Sequence, residues 1–301
     1  MSGKGENVLD MEKILQSRTV KFIVGCDEKE FNVQEFSLCS ISPALRALLT
    51  GGMIETVEGK VVWDDVEPAT FVRLMEYAYS HDYSVPKVVK TTTSNDWDKT
   101  NKNGSNKIDD EPDSLNSYLQ NATHQGAQHQ FGKKCFTQPP EPEIGQGSQP
   151  NNGVAYLRTD WLEDIKYSKT GIADVFMSQA KLYILADKYG IEGLRSLCLH
   201  RLKQSLLHCS GTVEFESLLL DVIEFVFSKT KTQDALRKLL VCYCITDLQW
   251  IASCERYEDL IEELPGFASA ILSNVPLSYW NELSNGTSLW ASPSNSGCFK
   301  P

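Results

Sequence analysis

Apolar positions near the N-terminus change their spacing several times, and each change predicts an element. Val20-Lys21-Phe22-Ile23-Val24 reads as a strand, Gly25-Cys26-Asp27-Glu28 as a turn, and Lys29-Glu30-Phe31-Asn32-Val33 as the returning strand of a hairpin. The stretch SPALRALLTGG then carries helix punctuation. Ser42 stands at the N-cap and Pro43 at the first helical position, where its missing N–H costs nothing. Ala44, Leu45 and Leu48 share a face, and Gly51-Gly52 stops the helix. Lys60-Val61-Val62-Trp63 predicts a third short strand. Glu67-Pro68 opens a helix whose stripe is Phe71, Leu74, Met75, Ala78 and Tyr79, and His81-Asp82 ends it in a turn.

Helical spacing returns after residue 167. Phe176, Ala180, Tyr183 and Ile184 form one stripe, while Leu182, Leu185 and Tyr189 lie on other faces; a helix apolar on several sides is buried rather than superficial. Gly190 terminates it. Leu194, Leu197, Cys198 and Leu202 line the next helix. Further stripes follow at Leu218, Leu219, Val222, Ile223 and Val226, and at Leu236, Leu239, Leu240 and Tyr243, the last with Thr232 as its expected N-cap and Asp234 in an acidic first turn.

Between these blocks the composition changes. TTTSNDWDKTNKNGSNKIDDEPDS and QPPEPEIGQGSQPNNG are too rich in Asn, Gln, Ser, Pro and Gly to offset chain entropy by burial, so most of residues 87–167 is expected to be disordered. The resulting division is a polar leader (1–17), a first structured block (18–86), the low-complexity stretch (87–167), two helices (168–210), a helical extension (211–278) and a flexible Ser- and Asn-rich tail (279–301).

Composition narrows the function. With 41% hydrophobic and 23% charged residues, the 301-residue chain has a globular composition. No run approaches the ~20 apolar residues of a membrane-spanning helix, and MSGKGENVLDMEKILQ has neither a signal-like apolar core nor transit-peptide character. A cytoplasmic or nuclear location is expected, without membrane partners. The nine cysteines are odd in number and contain no C-x-x-C pair, as for thiols in a reducing compartment. A net charge of -11 disfavours direct nucleic-acid binding, which needs clustered cations to neutralise phosphates.

Several landmarks, taken in order, resemble the BTB/POZ family, in particular its fungal-type branch. They are Phe31 and Val33 with Ser37-Leu38-Cys39-Ser40; SPALRALLTGG followed by Glu55; Val61 through Phe71; the Tyr77-x-Tyr79-x-x-Asp82-Tyr83 ending; and, after the gap, LYILADKYGIEGLRSLCLHRL at 182–202. No single piece is specific, but order and spacing together are. The resemblance implies an α+β fold: a small mixed sheet flanked by helices, with 18–86 and 168–210 forming one domain interrupted by an insertion, and an all-helical extension behind it. It implies a non-catalytic adaptor whose partners are other proteins. Relatives that dimerise tightly carry an Asp at the start of the first strand and a His-Lys pair after the second. Thr19 and Gln34-Glu35 stand there instead, which places homodimerisation in doubt.

No phosphate loop, H-E-x-x-H or G-x-S-x-G is present, so no catalytic residue, cofactor or metal is expected. Cys198, His200, His208 and Cys209 come nearest to a metal set. A helix turns about 100° per residue, so Cys198 and His200 point apart; Cys242 and Cys244 fail in the same way. His81-Asp82 reads as a turn rather than an acid/base pair. Met53-Ile54-Glu55 is the one candidate partner-binding loop. Its hydrophobic-x-Glu form resembles the tripeptide of BTB adaptors that recruit cullin-type ubiquitin-ligase scaffolds, where an apolar side chain fills a groove and the carboxylate sets orientation. Two further readings follow from the resemblance, a cullin-ligase substrate adaptor and a transcription-associated oligomerisation protein.

Overall fold

The computed structural model describes residues 11–52, 59–88, 114–121, 126–137, 159–167, 171–209 and 213–284. The chain opens with helix α1 (Met11–Gln16), strands β1 (Thr19–Val24) and β2 (Lys29–Gln34), helices α2 (Glu35–Ile41) and α3 (Pro43–Thr50), strand β3 (Lys60–Trp63) and helix α4 (Pro68–Ser80). β1 is the middle strand. It runs antiparallel to β2, with Val20 opposite Val33 and Phe22 opposite Phe31. It runs parallel to β3, with Phe22 opposite Val61 and Val24 opposite Trp63. The small mixed sheet of the expected α+β fold is therefore present.

Alternation decides which face is covered. Val20, Phe22 and Val24 of β1 turn inward with Val61 and Trp63 of β3, and α4 packs Phe71 onto them. The Phe22, Phe31 and Trp63 rings all lie 5.0–5.8 Å from the Phe71 ring, in tilted or edge-on arrangements that aromatic pairs favour. The hairpin turn needs Gly25, which sits at φ +79°; a Cβ there would also come within 3.0 Å of the Pro68 ring.

Ser42 caps α3 as its position predicts, accepting from the Leu45 N–H at 3.1 Å. Its hydroxyl also donates to the Tyr189 carbonyl at 2.6 Å, fixing the start of α3 against a residue 147 positions away. The core face of α3 is Leu45 and Leu49, while Ala44 is exposed and Leu48 half-buried. The buried face is thus rotated from the expected Ala44–Leu45–Leu48 face, which leaves Ala44 and Ala47 looking outward with Leu48 at the boundary.

Three segments within 87–167 depart from the reading of that stretch as disordered. Helices α5 (Leu115–Gln120), α6 (Ala127–Phe136) and α7 (Asp160–Tyr167) bury Leu115, Leu119, Phe136, Trp161, Leu162 and Ile165 in the common core. Their apolar residues are few and far apart in sequence, but each helix needs only one buried stripe once a partner surface exists.

Helices α8 (Ile172–Lys188) and α9 (Glu192–His208) pack on each other, and α8 also lies on α4. As its all-round apolar pattern requires, α8 buries Val175, Phe176, Ala180, Leu182, Tyr183, Leu185 and Ala186. The extension is α10 (Val213–Lys229), α11 (Ala235–Thr246), α12 (Leu248–Ala252), α13 (Tyr257–Glu263), α14 (Pro265–Asn274) and α15 (Leu277–Ser284). Two expectations shift here. The N-cap of α11 is Asp234 rather than Thr232: its carboxylate accepts from Leu236 N–H at 2.8 Å and from the Tyr183 hydroxyl at 3.2 Å, so a tertiary contact selects the later cap. Residues 279–284 are helical rather than tail. Tyr279 is buried and donates to Gln128 at 2.9 Å, and Glu282 accepts from the Ala127 N–H at 2.6 Å, capping α6.

Candidate functional site

Met53, Ile54 and Glu55 lie outside the described residues, in 53–58, but both flanks of that loop are placed. It leaves the end of α3 at Gly51-Gly52 and re-enters at Gly59, whose carbonyl accepts from Lys21 N–H at 2.9 Å, directly before β3. The outward face of α3 and the strand β3 are the walls of a groove of about 500 Å³. Ala44, Ala47 and Leu48 form one wall and Val62 the other. The floor is Trp63 stacked on Tyr189, with ring centroids 4.8 Å apart and planes 19° apart.

The sequence produces this groove by simple means. Strand alternation sends Val61 and Trp63 inward and Val62 outward, leaving Val62 58% exposed. The order β2-β1-β3 puts β3 at a sheet edge. Tyr189 arrives from the α8–α9 turn, made possible by Gly190 at φ +63°. Burial and the nearby Asp65 carboxylate push its phenol up to about 12, so it presents a neutral hydroxyl. Lys188 at the rim pairs with Asp65 at 2.8 Å, and Lys181 with Glu67; being exposed, these pairs tie α8 to the β3–α4 segment only weakly. The result is a small apolar trough with a polar rim, suited to side chains of another polypeptide.

Farther along, α9 is held by a fully buried cation. Arg201 has no solvent exposure; it donates from Nη1 to the Tyr83 carbonyl at 2.6 Å and from Nη2 to the Asp82 carboxylate. Its guanidinium lies 4.4 Å from the Tyr83 ring centroid and 4.9 Å from that of Trp161. Trp161 donates to Ser205 at 3.3 Å, so α7 is fastened to α9 at the same point. Sequence reasoning missed both residues: Arg201 sits among helix-surface candidates, and Trp161 falls in a stretch dominated by polar composition.

The other candidates separate. His81 caps α4 in the left-handed region with its ring edge-on to Tyr77, and burial depresses its imidazole, whereas Asp82 turns to Arg201. Cys198 is buried beside Tyr83, its thiol pushed up to about 12 by desolvation, and His208 makes a hydrogen bond of 2.8 Å with the Gln204 carbonyl. Among the described residues no group of three or more His, Cys, Asp or Glu is placed to hold a metal, and no helix is long and apolar enough to cross a membrane. Thr19 pairs across the hairpin with Gln34, and Glu35 forms an ion pair with Arg18, which also donates to the Leu49 carbonyl at 2.6 Å.

The family model of the BTB/POZ domain matches residues 12–95, from α1 through α4 and just beyond. Residues 12–95 are thus similar to the BTB/POZ domain, a kind of module for protein–protein interaction. A comparison of the sequence with curated proteins finds no match.

Proposed function

We propose that the chain is a non-catalytic adaptor of the cytoplasm or nucleus. In this reading α8 and α9 complete the BTB/POZ domain, and an apolar stretch of a partner protein docks in the groove between α3 and β3. The observation that carries the proposal is the exposed Val62 on an edge strand, facing the outward alanines of α3 across the stacked Trp63 and Tyr189. An extended peptide lying along such an edge gains backbone hydrogen bonds, and its alternate side chains enter the trough. A cullin scaffold is the second occupant to test, because Met53, Ile54 and Glu55 fall in sequence between α3 and β3 and have the hydrophobic-x-Glu form of cullin-recruiting BTB adaptors.

Affinity purification from native extract tests both readings. Val62→Asp is expected to keep the wild-type melting temperature, since the side chain already faces water, while partner capture falls at least about tenfold, or about 1.4 kcal/mol. Equal capture by wild type and variant would remove the groove from consideration. In a parallel arm with purified cullin N-terminal regions, Met53→Ala with Glu55→Ala is expected to cost ~2 kcal/mol if the loop is the anchor. Absence of wild-type binding at ~10 μM, about 7 kcal/mol, rejects the cullin reading alone.

The adaptor works as a monomer in this proposal, because the positions that mark dimeric relatives hold the Thr19–Gln34 pairing and the Arg18–Glu35 ion pair. Sedimentation is expected to show a monomer at micromolar concentration. A concentration-independent dimer would overturn this and point to the exposed Met11 and Leu15 of α1 as the self-complementary surface.

A further inference from the structure

Helices α6 and α11 approach each other unusually closely. Gly132 of α6 faces Thr246 of α11, and a Cβ on that glycine would stand 2.5 Å from the threonine methyl. At one end of the contact the Gln128 amide donates to the Thr246 carbonyl at 2.6 Å; at the other, Phe136 meets Tyr243 edge-on at 6.0 Å. Cys135 stands one turn along α6 from Gly132 and Cys242 one turn along α11 from Thr246, so the two thiols lie on the helix faces that meet, near enough for each to shift the other's titration. Both residues are half-buried and so reach solvent, unlike the buried Cys198, Cys209, Cys244 and Cys254.

From this juxtaposition we infer that Cys135 and Cys242 are an oxidation-sensitive dithiol, a modification site that peroxide converts to a disulfide joining α6 to α11. The chemistry has a designated attacker and a designated partner. The neighbouring Cys242 thiol and the Lys203, Lys134 and Lys238 cations draw the Cys135 thiol below its usual range despite partial burial. The same proximity, with burial, drives Cys242 upward. Lys203 is held in place with its amine 5.8 Å from the Phe136 ring centroid. A thiolate among cations with a resolving thiol beside it is the environment in which cysteine oxidation is selective.

Hydrogen peroxide supplies the oxidising equivalents. The Cys135 thiolate attacks one peroxide oxygen, an S–O bond forms and the O–O bond breaks. The departing hydroxide takes a proton and leaves as water, and Cys135 becomes a sulfenic acid. The Cys242 sulfur then attacks Cys135, the S–S bond forms and the S–O bond breaks. The Cys242 proton joins the departing hydroxide as a second water. Two thiols are oxidised and one peroxide is reduced. The thiols stand on the meeting faces of two packed helices, so a disulfide requires the sulfurs to close to about 2.05 Å with local rearrangement of α6 and α11.

Peptide mapping of the full chain under non-reducing conditions, after brief exposure to stoichiometric hydrogen peroxide, tests the inference. The expected product is a peptide pair linked through Cys135 and Cys242, lost on adding dithiothreitol, with a reversible rise in melting temperature. Cys242→Ser is expected to stop at the sulfenic acid, captured on Cys135 by dimedone, and Cys135→Ser to give neither product. Oxidation of exposed Cys26 ahead of Cys135, or a sulfenic acid on wild-type Cys135 that never resolves to the disulfide, would overturn it. The wild-type map alone decides if a serine variant fails to fold.

Discussion

Leu185→Asp is expected to abolish folding of the whole protein rather than weaken one contact. Leu185 is 4% exposed on α8, a helix that packs on α4, α9 and α10 together. The substitution discards about 2–3 kcal/mol of apolar burial. It also places a carboxylate in an apolar interior, at a cost of several kcal/mol even after the acid protonates. A domain's entire stability is about 5–15 kcal/mol. Far-UV circular dichroism at 25 °C should show the loss of helix. A variant that melts cooperatively at the wild-type temperature would contradict the central position of α8.

Arg201→Ala is the second large effect. The guanidinium satisfies the Asp82 carboxylate and the Tyr83 carbonyl and fills the space between the Tyr83 and Trp161 rings. Deleting it takes the guanidinium away from a carboxylate whose side chain is only 18% exposed. Breaking a buried pair from one side costs about 3–5 kcal/mol. Arg201→Lys is expected to recover only part of this, since an ammonium cannot fork to two acceptors while lying flat between two rings. Trp161→Ala should cost less than Arg201→Ala and should specifically release α7, read as early proteolytic cleavage within 159–167. Urea denaturation gives the ranking, and an Arg201→Ala loss under about 1 kcal/mol would show that the pair is solvated.

The contrast between these two positions shows what a sequence exposes. Leu185 was legible because a helix apolar on several sides has nowhere to go but inside. The hairpin, the Ser42-Pro43 helix start and the third strand were legible for similarly local reasons: each depends on residues within a few positions. Arg201 carries the opposite local signal. A cation in a helix reads as a solvent-facing residue, and only the arrival of Asp82, Tyr83 and Trp161 from distant segments makes its burial tolerable. The Tyr-Asp-Tyr ending and the 182–202 stretch both supported the family resemblance, yet nothing in either stretch says that Arg201 binds Asp82. The groove was half legible. Its loop was singled out, but the floor depends on Tyr189 stacking on Trp63 across 126 residues of sequence. Cys135 and Cys242 were scattered thiols until α6 and α11 met.

The long separation between Tyr83 and Arg201 also sets a timetable for the chain as it is made. Their hydrogen bond spans 118 residues. Translation at about 5–20 residues per second therefore leaves roughly 6–24 s between the two residues' emergence. Until α8 and Tyr189 emerge late in that interval, Trp63 has no Tyr189 to stack on and α4 has no α8 to cover it, so nascent β1–β3 and α4 present an uncovered aromatic face. The stretch 87–167 lengthens the vulnerable window in proportion to its own length. Shortening it outside α5, α6 and α7 is expected to bring the closing helices out of the ribosome sooner and to lower aggregation during synthesis, even where the finished protein is no more stable.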